Sequence, residues 1–415
     1  MTKDTVDGLL QAMLESVEGV SDLLFVAGRP PLVESHGRLV DIPVDTPDST
    51  LDKQAVDEIA DVLMNGNERL ISELAAAGSC DSSYAVPEVA RFRVNIFKQN
   101  GQRSIVMRKL ATKVPRLDEL GLPPVFREMV REKTGMILVT GGTGSGKTTT
   151  LAAMINELNH SQEIHIVTLE DPIEFFYSKE KAVVSQREMG KDFRSFADGL
   201  RAALRQAPKA ILVGEIRDRE SLDIALGAAE TGHLVFSTMH TISAGHTINR
   251  IVGMHGIEEQ QQARQRLSET LRYVVSQRLI PKVSGGRLLV TEIMGSSMRT
   301  RETVVCGETE NKTYAEIIEA GSTMGWHSFD QSLFKAFVEN LISEETALTY
   351  CSQNARMRRD LDQQDKLSKG GSEESNSGLK LSGVVSPPPR ACPRPVPVPP
   401  IVPLAGARSA ETLKR

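Results

Sequence analysis

Residues 136–154 read MILVTGGTGSGKTTTLAAM, and no other stretch of this 415-residue chain restricts the fold as sharply. An apolar strand runs into a glycine-rich loop, Gly141, Gly142, Thr143, Gly144, Ser145 and Gly146, and Lys147, Thr148 and Thr149 open a helix. Glycines let successive backbone N–H groups turn inward, and the helix N-terminus behind them carries a partial positive charge. Such a loop is built to cradle phosphate. Lys147 would then reach the β- and γ-phosphates and the Thr148 hydroxyl would hold Mg²⁺, so ATP with Mg²⁺ is the expected ligand pair.

The flanking pattern extends this unit. MILVT, HIVTLE, AILVGE and HLVFST are short apolar strands, and KTTTLAAMINEL, SFADGLRAALRQ and DRESLDIALGAAE are helices between them. That alternation predicts an α/β fold over 123–362, with a mainly parallel sheet covered on both faces. Upstream, 1–112 reads differently. Leu9, Leu10, Met13, Leu14 and Val17 recur at helical spacing, and DLLFVAG and LVESHGRLVDI are strand signals with a turn at His36-Gly37. LDKQAVDEIADVLM and NERLISELAAAG are helical. In ARFRVNIFKQNGQRSIVMRKL, Phe92, Val94 and Ile96 alternate with Arg91, Arg93 and Asn95, and Asn100-Gly101 predicts a hairpin turn. A small α/β domain therefore precedes the larger one, joined by a proline-punctuated linker at 113–122.

From 363 to 415 the composition shifts to glycine, serine and proline, and nine of the chain's 20 prolines fall between 387 and 403. Such a segment cannot bury enough apolar area to offset its ordering entropy, so a disordered tail with polyproline-II stretches is expected, its partner unknown. The remainder has ordinary soluble balance, 40% apolar and 25% charged. A formal net charge of −5 and only 4% aromatics leave little for a nucleic-acid track, and no nucleic-acid partner is expected. Four scattered cysteines form no zinc ribbon or disulfide framework, the N-terminus reads unlike a signal peptide, and no stretch is long and apolar enough to span a membrane. A cytoplasmic location is expected.

Hydrolysis needs water aligned with the γ-phosphate and relieved of a proton. In APKAILVGEIRD the apolar strand ends in Glu215, and HIVTLEDPIEFF puts Glu170, Asp171 and Glu174 just past the end of another strand. Open α/β sheets bind ligands outside the carboxyl ends of their strands. Glu215, Glu170 and Glu174 are therefore candidates, though each also reads as a surface acid starting a loop, whereas Asp171, before a proline, reads as capping that turn. The stretch AAETGHLVFSTMHTISAGHT holds three histidines. His233 and His240 sit at opposite ends of one strand, about 20 Å apart at strand rise, so they do not share a metal ion. His240 emerges at the phosphate-facing edge, where it could contact the γ-phosphate or the attacking water. His233 and His246 read as structural.

In this order the pieces resemble secretion-superfamily ATPases, specifically the PilT/PilU family of type IV pilus retraction motors. TGGTGSGKTTTLAAM matches the Walker A loop, TLEDPIEF the aspartate box, LVGEIRD the atypical Walker B and AETGHLVFSTMHT the histidine box; VSQREMG and LRYVVSQRL match as well. The resemblance implies a PAS-like N-terminal domain, a RecA-like ATPase domain and a homo-hexameric ring. It implies that Arg93 and Arg108, which from sequence alone read equally as the solvated face of a strand, reach the phosphates as arginine fingers. It further implies an inner-membrane pilus platform protein and a paralogous retraction ATPase as partners, with the ring at the cytoplasmic face of the inner membrane. The family's "AIRNLIRE"-like stretch survives in EIMGSSMRTRETVVCGE mainly as Arg301. A pilus assembly or type II secretion ATPase, or an accessory nucleotide-gated scaffold using the proline-rich tail, are the alternatives.

Overall fold

Two hydrophobic periodicities build two different sheets. A computed structural model describes residues 1–44, 49–110, 113–310 and 312–373. In the first sheet the period is two. β1 (Val20–Val26), β2 (Leu32–Ser35), β3 (Arg38–Asp41), β4 (Ser79–Val86), β5 (Ala90–Gln99) and β6 (Gln102–Leu110) pair throughout antiparallel in the order β3-β2-β1-β6-β5-β4. Phe92, Val94 and Ile96 point inward from β5 as the alternation requires. They meet apolar faces of α1 (Lys3–Ser16), α2 (Lys53–Met64) and α3 (Glu68–Ala77), through Leu10, Met13, Ile59, Leu63, Leu70 and Leu74. Both expected tight turns form. His36-Gly37 and Asn100-Gly101 each place two consecutive residues at positive φ, the backbone that matches strand twist in two-residue hairpins.

The second sheet contains β7 (Gly135–Thr140), β8 (His165–Glu170), β9 (Val183–Glu188), β10 (Ala210–Val213), β11 (Leu234–Met239), β12 (Leu271–Pro281) and β13 (Arg287–Gly295). Its order is β13-β12-β7-β11-β10-β8-β9, parallel except for the β12–β13 edge hairpin. Every residue of β7 and β11 is buried, as a sheet covered on both faces demands. After α4 (Val125–Met129) come α5 (Lys147–Ser161), α6 (Phe196–Ala203), α7 (Arg219–Glu230), α8 (Ala244–Gly253) and α9 (Gln260–Thr270). Alternate residues of β7 serve separate cores. Met136 and Leu138 join Leu222 and Leu226 of α7, Ile248 of α8 and Leu267 of α9, whereas Ile137 and Val139 join Leu151, Met154 and Leu158 of α5. The run closes with α10 (Met298–Cys306), α11 (Tyr314–Ala320), α12 (Phe329–Val338), α13 (Glu344–Tyr350) and α14 (Asn354–Glu373).

Several elements differ from the periodic reading. β4 carries only two buried side chains, Cys80 and Val86, so its sequence gives no alternation to detect. β10 stops at Val213, which leaves Glu215 two residues beyond the strand. Within 113–122, Leu117 is buried in the cluster that holds Val139 and Leu158, with Leu120 and Leu122 packed against it. α14 runs through 363–373, where the tail was expected to begin; the proline-rich residues 374–415 lie outside the described residues. Among the described residues, no helix is long and apolar enough to cross a membrane.

Candidate nucleotide site

The phosphate loop forms as the glycines require. Gly141 has φ +145, and a Cβ there would lie 2.5 Å from both the Gln277 carbonyl and Ser145 Oγ, so only glycine brings the loop this close to β12. Gly146 caps α5 in the left-handed region, and Ser145 is buried beneath the loop while Gly142 is exposed. Lys147 is buried, and its Nζ donates to the carbonyls of Gly141 and Gly142, each at 2.9 Å. Burial pulls its pKa below the usual lysine value, opposed by the charge of Glu215. Gln277 Nε2 donates to Thr150 Oγ1 at 2.8 Å, tying β12 to the first turn of α5.

Facing the loop are the ends of β8, β10 and β11. Gly214 N–H donates to the Leu169 carbonyl at 2.8 Å, Thr238 Oγ1 to the Gly214 carbonyl at 2.7 Å, and Ile216 N–H to the Thr238 carbonyl at 3.1 Å. These three bonds fix the backbone that presents Glu215. Its Oε2 lies 2.8 Å from Arg217, and its Oε1 lies 3.3 Å from His240 Nε2. Glu170 is almost fully buried, and its Oε1 accepts from Thr168 Oγ1 at 2.7 Å and Gln186 Nε2 at 3.1 Å. Burial outweighs those bonds and raises its pKa from the ordinary 4.5 to about 7. Burial likewise raises Glu174, with Arg93 and Arg108 pulling the other way, and Asp171, against Arg93 and Arg217.

The raised Glu170 has a consequence for stability. Between pH 4.5 and about 7 the folded chain holds a proton at Glu170 that the unfolded chain has released, so the contribution of this group to stability is fully present below 4.5 and is lost as pH rises through about 7. Glutamine keeps the acceptor oxygen without the charge. Urea titrations of Glu170→Gln should therefore show it gaining on the parent between pH 5 and pH 8, and a constant difference would remove the burial argument.

The third wall comes from the other sheet. Arg93 and Arg108 face each other in register across β5 and β6, and Arg108 Nε donates to the buried Asp22 at 2.9 Å. Thr143, Gly144, Gly146, Lys147, Thr148 and Thr149 of the loop line one cleft of about 560 Å³ with Glu170, Glu174, Glu215, His240, Arg93 and Arg108. His233 lies outside it, at the far end of β11, with Nδ1 2.9 Å from the Ala228 carbonyl; His246 Nδ1 sits 2.7 Å from Ser243 Oγ at the start of α8. Among the described residues, no group of histidine, cysteine and carboxylate side chains is arranged to hold a metal ion.

Asp171, Arg217 and Arg287 also line the cleft, beyond the residues singled out from sequence for this role. Arg217 stands two residues past Glu215 in LVGEIRD and could have been suspected from that spacing. Arg287 had no local signal; it reaches the cleft only because the edge strand β13 folds back on β12.

Residues 83–323 match the family model described as "Type II/IV secretion system protein". The chain is 42% identical over 332 residues to the type IV pilus retraction ATPase PilT of Pseudomonas aeruginosa, covering 80% of this chain and 94% of that protein. It is 33% identical over 351 residues to the type IV pilus ATPase PilU of the same organism, covering 84% and 89%. A crystal structure of the pilus retraction motor PilT with bound ADP matches at a TM-score of 0.76 and 39% identity, over 85% of this chain and 98% of that one. This chain belongs to the type II/IV secretion system protein family, among its PilT/PilU members, and is a nucleotide-binding ATPase.

Proposed function

We propose that this chain is the subunit of a homo-hexameric motor that converts ATP hydrolysis into type IV pilus retraction at the cytoplasmic face of the inner membrane. The observation that carries the reading is one cleft whose phosphate loop and carboxylates come from the parallel sheet while two arginines come from the antiparallel sheet. A γ-phosphate held there is gripped by both halves, so its arrival and loss change how the halves sit together.

The roles follow from placement. The loop N–H groups and Lys147 hold the phosphates. The exposed Thr148 hydroxyl, beside Lys147 at the start of α5, is a hard oxygen donor suited to Mg²⁺, which when bound neutralises charge on the β- and γ-phosphates. Glu215 takes the proton of the attacking water while His240, at its other side, orients that water. The water oxygen bonds to the γ-phosphorus, the bridging oxygen leaves with the β-phosphate, and Arg93 and Arg108 stabilise the charge on the transferring group. Glu170, buried at the cleft and bonded to Thr168 and Gln186, holds the start of the acidic loop in place. The domain movement would be delivered to an inner-membrane platform protein, alongside a paralogous retraction ATPase.

Arg93→Ala is expected to slow steady-state hydrolysis by roughly 10³-fold while leaving ATP affinity within a few fold, since finger arginines act mainly on the transition state. Equal losses in affinity and turnover would make Arg93 a ground-state ligand instead. The cellular test is a count of surface pili together with twitching in a strain lacking this chain. Abundant pili without movement support retraction. Bald, immotile cells would mean assembly, and unchanged cells an accessory role.

A further inference from the structure

Glu188 ends β9, and its carboxylate is nearly buried although no step above uses it. Oε1 accepts from Ser83 Oγ at 2.8 Å and lies 2.6 Å from Lys191 Nζ, while Oε2 accepts from the Ile173 N–H at 3.3 Å. Lys191 Nζ also donates to Ser83 Oγ at 2.5 Å. One carboxylate thus joins β4 of the antiparallel sheet, the turn carrying Asp171 and Glu174, and the turn after β9. A carboxylate this buried is costly unless its oxygens are satisfied, so these partners hold it firmly in place.

Register gives the junction its meaning. Ser83 faces Arg93 across β4 and β5, Arg93 faces Arg108 across β5 and β6, and Arg108 faces Asp22 across β6 and β1. Directly opposed residues of antiparallel strands project to the same side, so these four form one row. Asp22 clamps one end through Arg108, and Glu188 clamps the other through Ser83. From Arg93 the path to Glu174 is one cross-strand step, two hydrogen bonds at Glu188 and a single peptide. Two contacts brace it: the Arg91 guanidinium stacks 3.9 Å over the Phe176 ring, and a Cβ at Gly190 would come 2.7 Å from the Arg69 guanidinium.

We propose that Glu188 and Ser83 are positioning residues for ATP hydrolysis, forming a latch that sets the arginine row against the acidic turn. The proposal rests on the roles given above to Arg93 and Arg108. Neither residue lines the nucleotide cleft, so the latch acts on turnover through arginine placement and leaves the phosphate loop untouched.

The test uses the full-length assembled protein. Ser83→Ala and Glu188→Gln are each expected to lower kcat about tenfold with KM for ATP within twofold, because small misplacements of a transition-state group cost rate. Glu188→Asp, which keeps the charge one methylene shorter, should recover part of the loss. The decisive comparison repeats Ser83→Ala in an Arg93→Lys background, which keeps the charge and loses the planar fork. A loss that shrinks below twofold there supports the latch. The same tenfold loss in both backgrounds, a proportional rise in KM, or unchanged kcat overturns it. If Arg93→Lys itself hydrolyses ATP at the parent rate, the arginine role fails first and the latch falls with it, a result distinct from the others.

Discussion

Lys147→Ala removes ATP binding. The ammonium sits among the loop carbonyls of Gly141 and Gly142 at 2.9 Å, already desolvated and within the charge field of Glu215, so it meets phosphate without further ordering. Charge-assisted hydrogen bonds contribute about 1.5–3 kcal/mol each, and losing two of them lowers affinity by roughly 10²–10⁴-fold. The same substitution takes from the loop the cation that holds Gly141 and Gly142 in place, so the backbone cradle weakens too. Titration with a fluorescent ATP analogue measures this directly. Affinity within threefold of the parent would mean that the loop amides bind phosphate unaided.

Glu215→Gln separates binding from chemistry. Glutamine has nearly the same shape, so the bonds among Gly214, Leu169, Thr238 and Ile216 that fix this backbone persist. What disappears is the basic carboxylate, one of whose oxygens faces Arg217 and the other His240. Positioned general bases contribute about 10²–10⁴-fold, so kcat should fall by that factor while nucleotide affinity stays within a few fold. Phosphate release and nucleotide titration on the same preparation distinguish the two quantities. Undiminished turnover would remove Glu215 from proton transfer and shift the role toward the acidic turn at Glu170–Glu174.

The two substitutions probe the part of the site most legible in sequence. A phosphate loop is local: strand, glycines, lysine and helix are contiguous, and backbone geometry alone directs the N–H groups. Glu215 and His240 were legible for a related reason, since each follows an apolar strand and a parallel sheet gathers its strand ends at one edge. Asp171 and Arg217 lie within the TLEDPIEF and LVGEIRD motifs, but their part depends on side-chain direction. β4 escaped because its half-exposed, serine-rich stretch lacks alternation, and with it went the partner of Glu188. Within the segment 113–122, Leu117 is buried in the core shared by β7 and α5, a contact that the flanking prolines give no hint of.

By itself the sequence determined the phosphate loop, the mainly parallel sheet around it, the hairpin carrying two arginines and the family. These rest on short-range rules: period, turn chemistry and contiguous motif. Only the tertiary structure decided that Arg93 and Arg108 face Glu174 across one cleft, that Glu170 is buried enough to titrate near 7, and that Glu188 joins two sheets 105 positions apart in the chain at Ser83. Charge and desolvation depend on what surrounds a group in space, and residues far apart along the chain supply those surroundings.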